Sequence, residues 1–260
     1  MSLSWTRTGA IFRKELRDYR RNRFVIGTMT VLPLLFIVLP MIQLFAANAE
    51  ADPANLSRRI GLSLLYMLVI PAFLPSTLSA YSVVGEREQG TLEPVLITPI
   101  RREEFLIGKA LAVFVPTLVI AYIVFGIFLA AVALFAHPVI ASAIYAGTHV
   151  LVQVLFTPLL AGWAIWVGIA VSAGSTDVRA AQQLSVLGSL PLLVILALIS
   201  LNVITVPAAL AAGLAAALLA VDLLAWRAVA AMFDRERLII GTRTCRVAGD
   251  TKLFDKADSN

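Results

Sequence analysis

The charged stretch at residues 85–96 holds the side chains best suited to chemistry, because it interrupts two long apolar runs. Clustered carboxylates and guanidinium groups form ion pairs and charge-assisted hydrogen bonds. The charged members are Glu86, Arg87, Glu88 and Glu93. A polar segment of this kind on an otherwise apolar chain predicts a water-exposed segment to which a partner molecule binds. We call residues 85–96 the handle.

The order of residues in this stretch predicts a short helix with a break on either side rather than an irregular loop. Gly90 suits a helix end because glycine readily adopts the left-handed conformation, and Thr91 is a good N-cap for a new short helix. Pro94 is tolerated in a first turn, where no intrahelical donor is lost, and Glu93 favours the positive end of the helix dipole. The Thr-Pro pair at residues 98–99 again places a threonine as N-cap before a proline in the first turn, and it predicts the start of the next helix. The short helix would present three apolar side chains on one face: Leu92, Val95 and Leu96.

Few other residues suggest chemistry. One cysteine, Cys245, and two histidines exclude a disulfide framework and a zinc cluster built from these residues alone. Asp222 lies within an apolar run, and a charge inside a membrane span is a functional candidate by default. Arg227 follows nearby, so we expect Asp222 to pair with a basic residue or a lipid headgroup rather than to handle ions.

The composition predicts that these residues are positioned by membrane-spanning helices. Hydrophobic residues make up 60% of the 260-residue chain and charged residues 14%, whereas soluble proteins carry about a quarter charged residues. The mean hydropathy is +0.89. The apolar blocks are long enough to cross a hydrocarbon core of about 30 Å. We therefore predict an all-α membrane protein with six transmembrane helices, at 24–46, 60–84, 106–135, 145–172, 183–201 and 206–228.

The distribution of lysine and arginine predicts the orientation. Of the 21 basic residues, 19 fall on one side of the six spans, and only Arg58 and Arg59 fall on the other. This bias places both termini and the charged handle in the cytoplasm. The opposite face is then nearly bare, with short segments at 47–59, 136–144 and 202–205. The net charge of +5 reflects topology rather than nucleic-acid binding, since basic and aromatic residues do not interleave.

The chain divides into three parts by composition. Residues 1–23 predict an amphipathic interfacial helix on the cytoplasmic leaflet, because Trp5, Phe12 and Leu16 recur at helical spacing among basic residues. This helix would anchor on anionic lipid, dock a partner, or do both. Residues 24–232 form the six-helix domain, and residues 233–260 form a cytoplasmic C-terminal tail.

The handle resembles the signature of a known family. The run from Glu86 to Pro99, followed by Glu104 and Gly108-Lys109, is similar to that of type-2 ABC exporter permeases, the membrane subunits of ATP-driven exporters. Residues 233–238 resemble the same family. So does a stretch between the fourth and fifth spans that includes Asp177, Arg179, Gln182 and Gln183. With the basic N-terminal helix, these motifs cover nearly the whole chain in the family's order.

This resemblance implies a permease subunit in the cytoplasmic (inner) membrane of a prokaryote, which pairs with a second permease copy or a paralogue and with two ABC ATPase subunits. The segment at about 86–98 would be the coupling helix seated in the ATPase, and residues 1–23 the connecting helix. Gly108-Lys109 is followed by Ala110, so the chain has no Walker A motif. The resemblance therefore implies that this chain is not itself an enzyme and binds no cofactor or metal, while the partner ATPase uses ATP and magnesium to drive alternating access.

Two other classes of protein remain as alternatives. A secondary transporter driven by an ion gradient needs buried ionisable residues near the membrane midplane, and the sequence provides only Asp222. An intramembrane enzyme is suggested by Glu103-Glu104, which resembles the paired glutamates of membrane proteases that process prenylated proteins. Gly108 stands where that motif expects arginine.

Overall fold

The computed structural model describes residues 4–45, 53–88, 101–145, 147–201 and 208–232, and the regular structure in these ranges is helical. Six of the helices are long and apolar enough to cross a membrane, which confirms the predicted fold class. The helices are α1 Trp5–Arg21, α2 Arg23–Phe45, α3 Pro53–Glu88, α4 Arg102–Phe135, α5 Pro138–Tyr145, α6 Gly147–Gly174, α7 Val178–Ser200 and α8 Ala208–Met232. All but α1 and the short α5 are spanning helices.

Several helices extend beyond the apolar blocks that predicted them. Residues 53–59, expected to be loop, form the first turns of α3, and most of the segment 136–144 forms α5. Helix α7 begins at Val178 rather than at 183. An apolar block marks only the part of a helix that lies within the hydrocarbon layer. The helix itself continues into polar sequence as long as its backbone hydrogen bonds are satisfied.

The start of α4 was predicted incorrectly. The Thr-Pro pair at 98–99 was expected to begin this helix, but α4 begins at Arg102 with Arg101 as its N-cap residue. The Glu104 carboxylate accepts a hydrogen bond from the Arg101 backbone N–H at 3.2 Å. A side chain in the first turn thus satisfies a donor at the helix end, and no threonine cap is needed there.

Prolines lie inside the spanning helices, and several hydroxyl groups bond to carbonyls of their own helix. Ser76 donates to the carbonyl of Ala72 at 2.7 Å, and Thr157 donates to the carbonyl of Gln153 at 2.7 Å. A hydroxyl bonded to its own helix carries no unmet hydrogen bond into the hydrocarbon layer. The helices contain Pro33, Pro40, Pro71, Pro75, Pro116, Pro158 and Pro191.

Helix α3 is the central helix and packs against α2, α4, α6 and α7. It runs antiparallel to α7 along most of its length. Near one end, Val84 of α3 clusters with Ala181 of α7. In the middle, the hydroxyl oxygens of Ser76 and Ser189 are 2.9 Å apart. At the other end, Gly61 lies against the carbonyl oxygen of Ser200.

Small residues also allow α6 to approach α3 closely. The Ser172 hydroxyl donates to the carbonyl of Ala80 at 2.5 Å and accepts from the backbone N–H of Val84 at 3.1 Å. One turn earlier on α6, Gly168 lies directly against Ser79, with no room for a Cβ atom. Close backbone approach of this kind replaces the hydrophobic driving force, which is absent between helices in lipid.

The two largest apolar clusters lie at opposite ends of the bundle. One joins α1 to α3, α4, α6 and α8, so α1 is part of the packed structure rather than an isolated surface helix. The other joins α2, α3, α4 and α5. The outer faces of α2 and α7 expose large apolar side chains, including Leu34, Leu35, Leu187 and Val194. Exposed surfaces of this kind suit lipid contact.

We predict that Gly168→Ala destabilises the bundle, because a Cβ atom would overlap Ser79 and force the helices apart. Ser79 presents its Cβ at 2.9 Å and Ala80 its backbone N at 3.3 Å, so the backbone must move. The expected loss is about 1–3 kcal/mol, measured by thermal unfolding of the purified protein in detergent. Gly126→Ala is the matched control, since nothing lies within 4 Å of that position. Equal melting temperatures for the two variants would contradict the packing described.

Candidate functional site

The candidate site is a buried charge cluster where α1, the end of α3 and the start of α4 meet. Residues 89–100, which connect α3 to α4 and contain most of the handle, lie outside the described residues. The cluster lies at the base of that connection. It therefore holds the two ends of the handle and attaches them to α1.

The centre of the cluster is the ammonium group of Lys109, which is fully buried in the second turn of α4. Lys109 Nζ donates to Glu15 Oε1 of α1 at 3.0 Å and to the carbonyl of Ser82 at 2.7 Å. It forms an ion pair with Glu86 Oε2 of α3 at 3.0 Å. The group also lies 5.0 Å from the centroid of the Phe105 ring. A buried ammonium requires this degree of pairing, because its desolvation costs several kcal/mol.

Lys14 is the second cation of the cluster. Its Nζ lies 3.3 Å from Glu15 Oε1, contacts Glu86 Oε1 closely and lies 3.7 Å from Asp18 Oδ2. Glu15 and Glu86 are therefore each bound by two ammonium groups, Lys109 from inside the bundle and Lys14 from its half-exposed rim. Alternating charges in this arrangement compensate one another more completely than a single ion pair does.

The pKa values of the α1 residues follow from this geometry. Burial acts to raise the pKa of Glu15, but Lys109 and Lys14 outweigh it and hold that pKa below its ordinary value. Burial likewise acts to lower the pKa of Lys14, and the carboxylates of Glu15 and Glu86 raise it above its ordinary value. The pKa of the neighbouring Tyr19 is raised, mainly by burial and to a smaller extent by the negative charges of Glu15 and Glu86. Glu15 and Lys14 are thus fixed in their charged forms and Tyr19 in its neutral form.

Glu104 makes a second attachment between α1 and α4. It is almost fully buried, and its Oε1 accepts from the backbone N–H of Ser4 at 2.9 Å, just before α1 begins. The guanidinium of Arg7 approaches the same carboxylate at 3.7 Å. Between the two attachments, a Cβ atom at Gly108 would come within 2.8 Å of Ile11. Glycine at position 108 is what allows α1 to lie directly on α4.

The handle residues predicted from the sequence divide into three groups. Glu86 lies in the buried cluster. Arg87 and Glu88 form the last residues of α3, and the directions of their side chains are not described. The remaining residues lie outside the described ranges: Gly90, Thr91, Leu92, Glu93, Val95 and Leu96.

The second predicted group lies at the start of α7 rather than in a loop. Asp177 is the N-cap residue, and its Oδ1 accepts from the backbone N–H of Arg179 at 2.7 Å. Gln182 and Gln183 follow in the same helix. Ala181, between them and Arg179, packs against the end of α3. This group therefore adjoins the helix that carries Glu86, although it does not join the charge cluster.

Sequence reasoning missed the roles of Lys14 and Glu15. Lys14 was counted only among the basic residues of an amphipathic helix, and Glu15 was not singled out. The signal was present, because the buried face of α1 consists of Thr8, Ile11, Glu15 and Tyr19 at helical spacing. A carboxylate on an otherwise buried helical stripe indicates a partner cation on another element.

A helical bundle with six spanning helices and an ionically attached N-terminal helix defines a multi-pass membrane protein. Comparison with known proteins identifies its family: residues 9–233 match the ABC-2 family transporter protein model, and the chain belongs to that family of ABC transporter permeases. The family and the six apolar helices place it in the inner membrane of a prokaryote.

A relative in Pseudomonas aeruginosa supports this assignment. The probable ABC transporter permease protein NosY of that organism is 33% identical over 115 residues. The similarity covers 43% of this chain and 38% of NosY. The matched region is thus well under half the length of this relative.

We predict that Lys109→Met detaches α1 and destabilises the protein by about 3–5 kcal/mol, because two buried carboxylates lose their shared cation. Thermal unfolding measures the stability, and limited trypsin digestion at the arginines of α1 measures the detachment. Lys14→Met is the matched control. Its side chain is 45% exposed, so it should lose clearly less stability. If Lys109→Met remains as stable and as protected as the wild type, the cluster does not hold α1.

The lowered pKa of Glu15 predicts a specific pH dependence. A carboxyl with a depressed pKa contributes stability that is present above its unfolded value, about 4.5, and is lost as pH falls through the lower folded value. Between about pH 6 and about pH 3.5, the wild type should therefore lose more stability than Glu15→Gln. Parallel melting curves for the two proteins across this range would contradict the assignment.

Proposed function

We propose that this chain is the membrane-spanning subunit of an ATP-driven exporter and that the segment at about 86–98, which contains most of the handle, couples it to a separate ATPase. The observation that carries the proposal is the cluster of Lys109, Glu15 and Glu86. This cluster joins both flanks of the handle to α1. A force applied to the handle would therefore reach three helices through one buried ammonium group.

The contacts around the handle suit the transmission of movement. On one flank, Glu86 lies in the last turn of α3, which packs against four other spanning helices. On the other flank, Glu104 and Lys109 attach α4 to α1. Because the paired charges cannot separate without leaving a buried charge uncompensated, α1, α3 and α4 would move as one unit.

The proposed cycle is alternating access powered outside this chain. Two ABC ATPase subunits would bind ATP and magnesium in the cytoplasm, and their closure would push on the handle. A second permease copy or a paralogue would complete the pathway, with the apolar faces of α2 and α7 available for lipid or for that partner. The group at the start of α7, from Asp177 to Gln183, would provide a second cytoplasmic contact because it adjoins the end of α3.

The proposal is tested by placing a charge on the apolar face of the handle. Leu92→Glu should weaken association with a co-expressed ABC ATPase partner about tenfold or more, because an apolar anchor is replaced by a carboxylate. Co-purification and permease-dependent ATP hydrolysis measure the effect. Leu253→Glu, the same substitution in the C-terminal tail, is the matched control. Both variants should unfold at the temperature of the wild type.

Two outcomes would contradict this function. Full ATPase association by Leu92→Glu would show that the handle is not the coupling element. Substrate movement in vesicles that contain the permease without ATP or an ATPase would favour a carrier driven by an ion gradient instead.

A further inference from the structure

Asp222 lies in a cavity that the proposed coupling mechanism does not use. The cavity measures about 380 Å³ and is lined by residues of α4, α6 and α8. Its volume falls within the usual range of small-molecule sites, about 300–1,000 Å³. Apart from the Asp222 carboxyl, its lining is apolar and aromatic, with Phe114 on α4, Trp166 on α6 and Trp226 on α8.

The Asp222 carboxyl has no partner in the part of the chain that the structure describes. The residue is 8% exposed, and its Oδ1 makes no hydrogen bond there. The group packs against Gly162, where a Cβ atom would lie 2.8 Å from Oδ2. The pairing expected from the sequence is not observed, since Arg227 forms no ion pair with it among the described residues. Lys109 of α4 is committed to Glu15 and Glu86 instead.

A buried carboxylate without a cation is costly, whereas the aromatic rings beside it are suited to binding one. Trp166 and Trp226 have ring centroids 5.3 Å apart and are tilted by 55°, and both line the same cavity as the carboxyl. The faces of tryptophan rings attract ammonium groups, most strongly where water is excluded. Removal of the carboxylate charge should not destabilise the protein, because an unpaired buried charge opposes folding.

We infer that this cavity is a binding site for an organic ammonium ion with an apolar body. The positive nitrogen lies against the Asp222 carboxylate and the two tryptophan rings, and the apolar part fills the space between Phe114 and Leu159. Both a free amphiphilic amine and the headgroup of an aminophospholipid provide this chemistry. The inference depends on this chain alone and not on its coupling to an ATPase.

The test is equilibrium binding of radiolabelled benzyltrimethylammonium to the purified full-length protein in a neutral detergent, without an ATPase. We expect saturable binding that excess unlabelled cation displaces, while the uncharged isostere neopentylbenzene does not displace it. Asp222→Asn should weaken binding about tenfold or more, because a charged contact is lost. The control Glu103→Gln removes an exposed carboxylate outside the cavity and should bind as the wild type does.

Two further measurements make the outcome decisive. Thermal unfolding of Asp222→Asn should match or exceed that of the wild type, which separates a lost site from a misfolded protein. In nanodiscs of phosphatidylglycerol, added phosphatidylethanolamine should compete if the natural ligand is a lipid headgroup and should have no effect if it is a free amine. Binding that is absent, or equal in the wild type and Asp222→Asn, would overturn the inference. Because no ATPase is present, that result would leave the coupling proposal intact.

Discussion

The structure depends on one buried ammonium group shared by two glutamates from different helices. Lys109 binds Glu15 of α1 and Glu86 of α3, so three elements far apart in sequence meet at one nitrogen. An apolar contact at this place would be as stable or more so, but it would tolerate sliding. The ionic contact fixes position, because displacement of α1 by a single helical turn would leave charges unpaired in the interior.

The sequence predicted the number and approximate position of the spanning helices because hydrocarbon thickness imposes a minimum apolar length. It did not predict where α3 and α7 begin, since their first turns are polar and therefore do not appear in a search for apolar runs. The charge cluster was only partly predictable. Glu86 was selected by its place in a motif, whereas Glu15 acquires its role from Lys109, 94 residues away. Pairing across that distance depends on how helices pack and not on local pattern.

The chain uses buried charges in two contrasting ways. Lys109, Lys14, Glu15 and Glu86 satisfy one another, and the cluster needs no further ion. Asp222 is similarly buried, yet it faces aromatic and aliphatic side chains and a glycine. In a membrane protein the first pattern is typical of architecture and the second of function, because an uncompensated charge persists only where something else makes use of it.

The antiparallel contact between α3 and α7 can transmit movement from one end of the bundle to the other. Helix α3 has 36 residues and spans about 54 Å, well beyond the hydrocarbon layer. It contacts α7 near both ends of that helix and in the middle, through small side chains that pack closely. The two helices should therefore move together. A tilt imposed beside Glu86 would swing the far end, near Gly61 and Ser200, in the opposite direction. The opposite end of the bundle would then experience the movement with little loss of amplitude.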